Sequence, residues 1–154
     1  MMYYLTFTAI TKKITIINLP HSGTHMSTKI TDENVISGFR KMSKQRIMDK
    51  ARAHINITRE ASMNQSRNCV YAGSGCNAAP LVKPTMRAAF DKIGPWSELV
   101  EKGKVPGNNA EFISLIQDAH DSAASASPSG FIDNYNENMK FVAKKYNLNY
   151  TPIM

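Results

Sequence analysis

The sequence predicts a mainly helical α+β domain, with a basic N-terminal helix, a small cysteine-bearing hairpin and a C-terminal pair of amphipathic helices. Three observations lead to this fold class. Positive charge is concentrated over residues 40–52, a short apolar run with a glycine-rich turn occupies residues 69–76, and residues 110–146 carry two helical apolar stripes. The length of 154 residues fits one domain with a single modest core, which we place at residues 26–154.

Residues 1–25 are interpreted as an N-terminal extension. The runs YYLTFTAI and KITIIN are rich in β-branched and aromatic residues and are compatible with a hairpin, and PHSGTH after them has the composition of a linker. Met26 would fit an internal start. The charged pair Lys12 and Lys13 follows the apolar run instead of preceding it, which argues against a signal peptide, and no run is long enough to span a bilayer. We therefore expect a cytoplasmic protein, with reduced thiols and no membrane contact.

A long basic helix is predicted over residues 32–55. Thr31 or Asp32 can cap its first turn, and acidic residues suit the positive end of a helix dipole. The apolar stripe of this helix consists of Ile36, Phe39, Met42, Ile47, Ala51 and Ile55. The candidate binding residues are its cations, Arg40, Lys41, Lys44, Arg46, Lys50 and Arg52. Of these, Lys41 and Arg52 are expected to project away from the stripe.

The excess charge lies entirely in the first half of the chain. Residues 1–67 hold 11 of the 19 Lys and Arg but 4 of the 12 Asp and Glu, whereas residues 68–154 hold 8 of each. Such an asymmetry indicates a partner that is nucleic acid, a phosphate ligand such as a nucleotide, or an acidic protein surface. The alternative is a helix face that is merely solvated.

The stretch NCVYAGSGCNAAP contains both cysteines of the chain. Residues 69–72 predict a short strand and Gly73-Ser74-Gly75 a three-residue turn, so that the segment would form a hairpin. GSGCNA formally fits a dinucleotide-binding pattern, but Pro80 argues against the helix that such a site requires. The Walker phosphate-binding pattern is absent, because the chain contains no Gly-Lys-Ser/Thr sequence. Ser74 does not fit the Gly-x-Ser-x-Gly pattern of a nucleophile elbow.

Helices account for most of the remaining chain. Short helices are predicted near residues 85–93 and 96–101, with Pro95 at the start of the second. In the first of the two terminal helices, the apolar stripe is Phe112, Leu115, Ile116, Ala119 and Ala123. In the second, it is Phe131, Tyr135, Met139, Val142 and Tyr146. The serine-rich segment 122–130 joins the two helices.

Two chemical roles for the cysteines are open at this point. Cys69 and Cys76 could ligate zinc together with His54 and His120, although a spacing of six intervening residues is wider than usual within a zinc pair. Alternatively, Cys69 could be a nucleophile activated by His120, because an imidazole accepts the proton of a thiol and an imidazolium lowers its pKa. Otherwise both thiols are small buried apolar groups. We expect no metal and no cofactor.

The order of these features resembles that of small phage and bacterial proteins of uncharacterised function. Those proteins carry a Cys-x-Tyr-x-Gly turn, a second cysteine followed by small residues, and a later helix with Gln-x-x-His-Asp. The corresponding residues here are Cys69, Tyr71, Gly73, Cys76, Ala78, Gln117, His120 and Asp121. The chain departs from the pattern in its shorter GSG turn and in residues 77–80, which replace an apolar, glycine-containing run.

The resemblance implies a phage or prophage origin and an accessory protein that works by non-enzymatic binding. The partner would be a host protein, a nucleic acid or a signal nucleotide, and counter-defence against the host is a role of this kind. Tyr71 joins the candidate binding residues on this basis. The alternative function is a small thiol-dependent enzyme that uses Cys69, His120 and Asp121. The sequence leaves the oligomeric state open.

Overall fold

A computed structural model describes residues 31–66, 69–127 and 129–154, and the expected N-terminal extension lies outside these residues. From Lys44 onward, the described residues form five α-helices: α1 (Lys44–Thr58), α2 (Pro84–Phe90), α3 (Trp96–Glu101), α4 (Ala110–Ala126) and α5 (Phe131–Tyr146). Residues 31–34 are also helical, and short 3-10 turns lie at Phe39–Lys41 and Ala79–Leu81. Within the described residues, no helix is both long and apolar enough to cross a membrane.

The predicted α+β class is wrong, because the part of the chain that the structure describes contains no β-sheet and no hairpin. Two isolated bridges, between Val35 and Val82 and between Met63 and Cys69, are its only strand-like pairings. The segment after Cys69 does not form a ladder because the side chain of Asp91 accepts the backbone N–H groups of Tyr71 and Ala72, at 2.6 and 3.3 Å. The fold is therefore helical.

The predicted helix over residues 32–55 is broken in the middle. Gly38 adopts a left-handed conformation with φ of 75°, and the Ser43 side chain caps a new helix by accepting the backbone N–H of Arg46 at 3.2 Å. Before Gly38 the chain pairs with a distant segment: the N–H of Ile36 donates to the carbonyl of Leu81 and the N–H of Lys83 donates to the carbonyl of Asn34, each over 3.1 Å. These long-range bonds replace the intrahelical ones, so Arg40 and Lys41 do not share a helix with Lys44.

The two terminal helices are present as predicted, and their apolar stripes face the core. Phe112, Ile116, Tyr135 and Met139 are almost completely buried between them and the rest of the domain. α5 ends at Tyr146, and Asn147 after it adopts a left-handed conformation with φ of 53°, while the N–H of Leu148 donates to the carbonyl of Ala143. This turn directs residues 148–154 back along α1 as an extended tail.

Candidate functional site

The two cysteines are joined to each other. Cys69 and Cys76 form a disulfide with their Cα atoms 5.6 Å apart, and both residues are almost fully buried. The expectation of two reduced thiols is therefore wrong for this structure. Among the described residues, no group of three His, Cys, Asp or Glu side chains is placed to hold a metal ion, so no further ligand joins this pair.

The glycine turn between the cysteines serves close packing. Gly75 has φ of +72°, and a Cβ atom built there would lie 2.7 Å from the Cβ of Ala79 and 2.9 Å from the carbonyl oxygen of Tyr71. The ring Nε2 of His54 lies 3.1 Å from the Gly75 carbonyl. The residues that follow are buried and continue into a 3-10 turn at Ala79–Leu81, so no helix begins where a phosphate would have to sit.

Gln117 connects the cysteine loop to the rest of the core. Its Nε2 lies 2.9 Å from the hydroxyl of Tyr71 and 3.1 Å from the sulfur of Cys69, while its Oε1 accepts the backbone N–H of Trp96 at 2.8 Å. Tyr71 is completely buried and packs edge-on against Phe90. Burial raises the pKa of Tyr71 well above its usual value. This tyrosine, a candidate binding residue in the sequence, has no surface for a ligand.

His120 and Asp121 lie together, but both nitrogens of the histidine have partners inside the protein. Nδ1 is 2.8 Å from the Asp121 carboxylate, and Nε2 is 3.4 Å from the backbone N–H of Ser62, which donates to it. Because Nε2 accepts the Ser62 N–H, Nδ1 is the nitrogen that donates to the carboxylate. The ring is completely buried and packs edge-on against Phe131. This arrangement is that of a structural histidine.

The six cations predicted to lie on one basic helix have different interaction partners in the structure. Arg40 forms an ion pair with Asp32 at 2.6 Å, and the ammonium of Lys44 lies over the ring of Tyr146, 5.4 Å from its centroid. Arg52 donates to the carbonyl oxygens of Thr151 and Pro152 in the tail. The other three, Lys41, Arg46 and Lys50, form no ion pair with any described residue.

Lys41 lies at an open cleft that was not predicted from the sequence. The cleft has a volume of about 560 Å³, and its lining includes the apolar residues Val35, Ile36 and Phe39 and the cations Arg40, Lys41 and Lys83. Lys83 is 42 positions away along the chain from Lys41 and arrives there because residues 34–36 bond to residues 81–83. Its side chain is exposed and forms no ion pair among the described residues.

The cleft also contains acidic groups. Asp32 and Glu33 lie in its lining, but the carboxylate of Asp32 is engaged by Arg40. Glu33 is therefore the acid that opposes the two lysines. With Arg40 and Asp32 paired, the lining keeps two lysines against the single carboxylate of Glu33. Together with the apolar wall, this excess of positive charge can hold a ligand that has both a ring or aliphatic part and an anionic part.

Comparisons with protein-family models, with characterised proteins and with solved structures give no significant match to this chain. The resemblance to small phage and bacterial proteins thus stays a prediction. Of the residues that carry it, Gly73 is exposed and Asp121 is half-buried. Five others, Cys69, Tyr71, Cys76, Gln117 and His120, are buried in the core, where Gln117 joins α4 to the cysteine loop.

Proposed function

We propose that the protein acts by non-enzymatic binding and that the cleft between Lys41 and Lys83 is its binding site for a small anionic ligand. The observation that carries this proposal is the combination of two lysines without ion pairs and an apolar wall of Val35, Ile36 and Phe39 in one cleft of about 560 Å³. That volume falls within the range of roughly 300–1,000 Å³ that small-molecule sites occupy.

A nucleotide fits this chemistry best among the partners expected from the sequence. Its base can lie on the apolar wall, and its phosphates can accept hydrogen bonds from the two ammonium groups. A protein that sequesters a host signal nucleotide would be an accessory protein of the phage or prophage type, with a role in counter-defence. An acidic host protein or a nucleic acid would instead be expected to use Arg46 and Lys50, one helical turn apart on the outer face of α1.

A thiol-dependent enzyme finds less support. The Cys69 sulfur is bonded to Cys76 and lies beside Gln117, and His120 is enclosed with both ring nitrogens engaged. A nucleophile requires a thiolate that a substrate can reach.

Titration calorimetry on the full chain tests the proposal with a panel of mono-, di- and cyclic nucleotides, and with inorganic phosphate for comparison. Lys41→Ala and Lys83→Ala should each weaken nucleotide binding by about tenfold or more, the effect of losing one charge-assisted hydrogen bond. Lys92→Ala is the matched control, because this exposed lysine carries the same charge and lies outside the cleft lining. The absence of nucleotide binding, or equal affinities in all three variants, would contradict the proposal.

Binding measurements with duplex DNA distinguish the nucleotide from a nucleic acid as the partner. If duplex DNA binds, and Arg46→Glu with Lys50→Glu weakens it while Lys41→Ala does not, the outer face of α1 is the site and the ligand is nucleic acid. The dependence of affinity on salt should then have a log–log slope of about 0.9 for each neutralised phosphate.

A further inference from the structure

A carboxylate that forms no ion pair lies in the lining of the cleft between Lys41 and Lys83, which we call the lysine cleft. Glu33 is exposed and pairs with no cation among the described residues, whereas its neighbour Asp32 is held by Arg40. Neither Lys41 nor Lys83 lies within ion-pair distance of the Glu33 carboxylate. The lysine cleft therefore offers a ligand a strong hydrogen-bond acceptor as well as two cations.

The backbone fixes the position of this carboxylate relative to Lys83. Glu33 directly precedes Asn34, whose carbonyl accepts the N–H of Lys83 over 3.1 Å, and Val35 forms a bridge with Val82. Glu33 and Lys83 are thus carried by two segments that hydrogen bonds join. Because the main chain is already in place, a ligand that contacts both side chains has little backbone freedom to restrict.

The charges in the cleft orient a nucleotide. A carboxylate repels a phosphate, so the phosphates are expected at Lys41 and Lys83 and an edge of the base at Glu33. The apolar residues of the lining, of which half-buried Ile36 is more exposed than Val35 or Phe39, are available to the face of the base. The phosphates, the face and the edge of the nucleotide each have a partner of matching chemistry.

A carboxylate distinguishes between bases because it only accepts hydrogen bonds. Its two oxygens accept two N–H groups that lie side by side, and they repel a lone pair in the same place. Guanine has two adjacent donors, its ring N1–H and its exocyclic amino group. Adenine and cytosine place a ring nitrogen lone pair beside the amino group, and uracil has a carbonyl oxygen on each side of its N–H. Among these bases, guanine matches the carboxylate without such a conflict.

We infer that the lysine cleft takes a guanine nucleotide and that Glu33 selects guanine by accepting its N1–H and amino groups. This role of Glu33 rests on the proposed function, because it names the ligand class of the same cleft. Lys41 and Lys83 contact phosphates, which all nucleotides have, whereas Glu33 contacts the base. Overall affinity and base preference therefore depend on different residues.

Titration calorimetry on the full chain measures the base preference with the diphosphates of guanosine, inosine and adenosine. The guanosine diphosphate should bind about tenfold or more tightly than the adenosine diphosphate, because adenine leaves a lone pair facing the carboxylate. Inosine diphosphate keeps the N1–H but lacks the exocyclic amino group. Its affinity should therefore lie between those of the other two.

The variant Glu33→Gln tests the residue itself. A glutamine amide has one donor and one acceptor side, which complements the donor and acceptor of adenine and not the two donors of guanine. The ratio of the guanosine to the adenosine diphosphate affinity should fall by about tenfold or more. Because the two ligands have the same phosphates, the lost negative charge affects both alike and leaves this ratio unchanged. Glu60→Gln is the matched control, an exposed glutamate outside the cleft lining, and should keep the wild-type ratio.

The results separate the base preference from nucleotide binding as such. If the wild type binds the two diphosphates equally well, or if Glu33→Gln keeps the ratio of Glu60→Gln, Glu33 does not select guanine. A uniform gain in affinity for both ligands in Glu33→Gln would mean that Glu33 acts through its charge alone, and would overturn the inference in the same way. In either case the proposed function stands if Lys41→Ala and Lys83→Ala weaken the binding of both ligands. The absence of binding by any nucleotide would contradict the proposed function and the role of Glu33 together.

Discussion

The side-chain amide of Gln117 donates a hydrogen bond over 2.9 Å to the hydroxyl of Tyr71, and both residues are buried in the core. The same glutamine accepts the backbone N–H of Trp96 at the start of α3. A single side chain on α4 thereby fixes the cysteine loop and α3, two segments that have no sheet to join them.

Replacing Gln117 should destabilise the protein because it leaves two buried polar groups without partners. In Gln117→Leu, the N–H of Trp96 and the hydroxyl of Tyr71 both lose a hydrogen bond in a site without exposure to water. We expect the free energy of unfolding to fall by about 1–3 kcal/mol, measured by urea denaturation. Ser122→Ala, an exposed position on the same helix, is the control and should change it by less than about 0.5 kcal/mol. Equal midpoints for the two variants would refute this role of Gln117.

The two glycines of the cysteine loop should respond differently to alanine. Gly73 and Gly75 both have positive φ, 63° and 72°, but a Cβ atom at Gly73 would meet nothing within 4 Å. The free energy of unfolding should therefore be about 1–2 kcal/mol lower in Gly73→Ala than in the wild type, because of backbone strain alone. In Gly75→Ala the free energy of unfolding should be about 1–3 kcal/mol lower still than in Gly73→Ala, because the added Cβ would overlap Ala79 and the Tyr71 carbonyl. Thermal or urea unfolding measures both, and equal losses would mean that the close packing around Gly75 is not needed.

Reduction of the disulfide should lower stability without abolishing the fold. Cys69 and Cys76 close a short loop, and the cross-link should contribute about 2–3 kcal/mol by limiting the unfolded chain. We expect a lower melting temperature in the presence of a phosphine reductant, and no effect of the reductant on the double variant Cys69→Ala with Cys76→Ala. Thiol titration of the unfolded, unreduced protein should detect no free thiol; two titratable thiols in protein purified without reductant would count against the bond.

Stability should fall at alkaline pH because of buried tyrosines. Burial raises the pKa of Tyr71 and of Tyr135 well above the usual value, and raises that of Tyr150 to about 12. Above pH of about 10 the unfolded chain loses these protons while the folded protein keeps them, so the unfolded state binds fewer protons and stability decreases as pH rises. Each such tyrosine should contribute a slope of about 1.4 kcal/mol per pH unit.

The variant Tyr135→Phe isolates one of these contributions. The Tyr135 hydroxyl lies beside the Asn77 side chain, yet it has no hydrogen-bond partner of normal geometry among the described residues, so its removal should have little effect near pH 7. Urea denaturation at pH 8, 10 and 11 should show that the free energy of unfolding of this variant falls less steeply with pH than that of the wild type. Equal slopes in the two proteins would indicate that Tyr135 does not stay protonated in the folded protein.

The helices of the second half of the chain could be predicted from the sequence because their signal is local. The stripes of Phe112 to Ala123 and of Phe131 to Tyr146 repeat at the helical period, and hydrogen bonds four residues apart need no distant partner. The same reasoning failed for residues 35–43, which it joined to residues 44–55 as one helix. There the backbone of Asn34 and Ile36 bonds to Lys83 and Leu81, a pairing for which the sequence contains no signal.

The sequence by itself determined the helical content of α2 to α5, the glycines of the cysteine loop and the concentration of positive charge in the first half. The tertiary structure alone decided which cations have partners, because those partners lie far along the chain: Tyr146 under Lys44, and Thr151 and Pro152 beside Arg52. It likewise brought Lys83 to Lys41 and paired Gln45 with Asn149. Helix periodicity is a property of neighbouring residues, whereas a cleft or a groove exists only where separate segments have packed together.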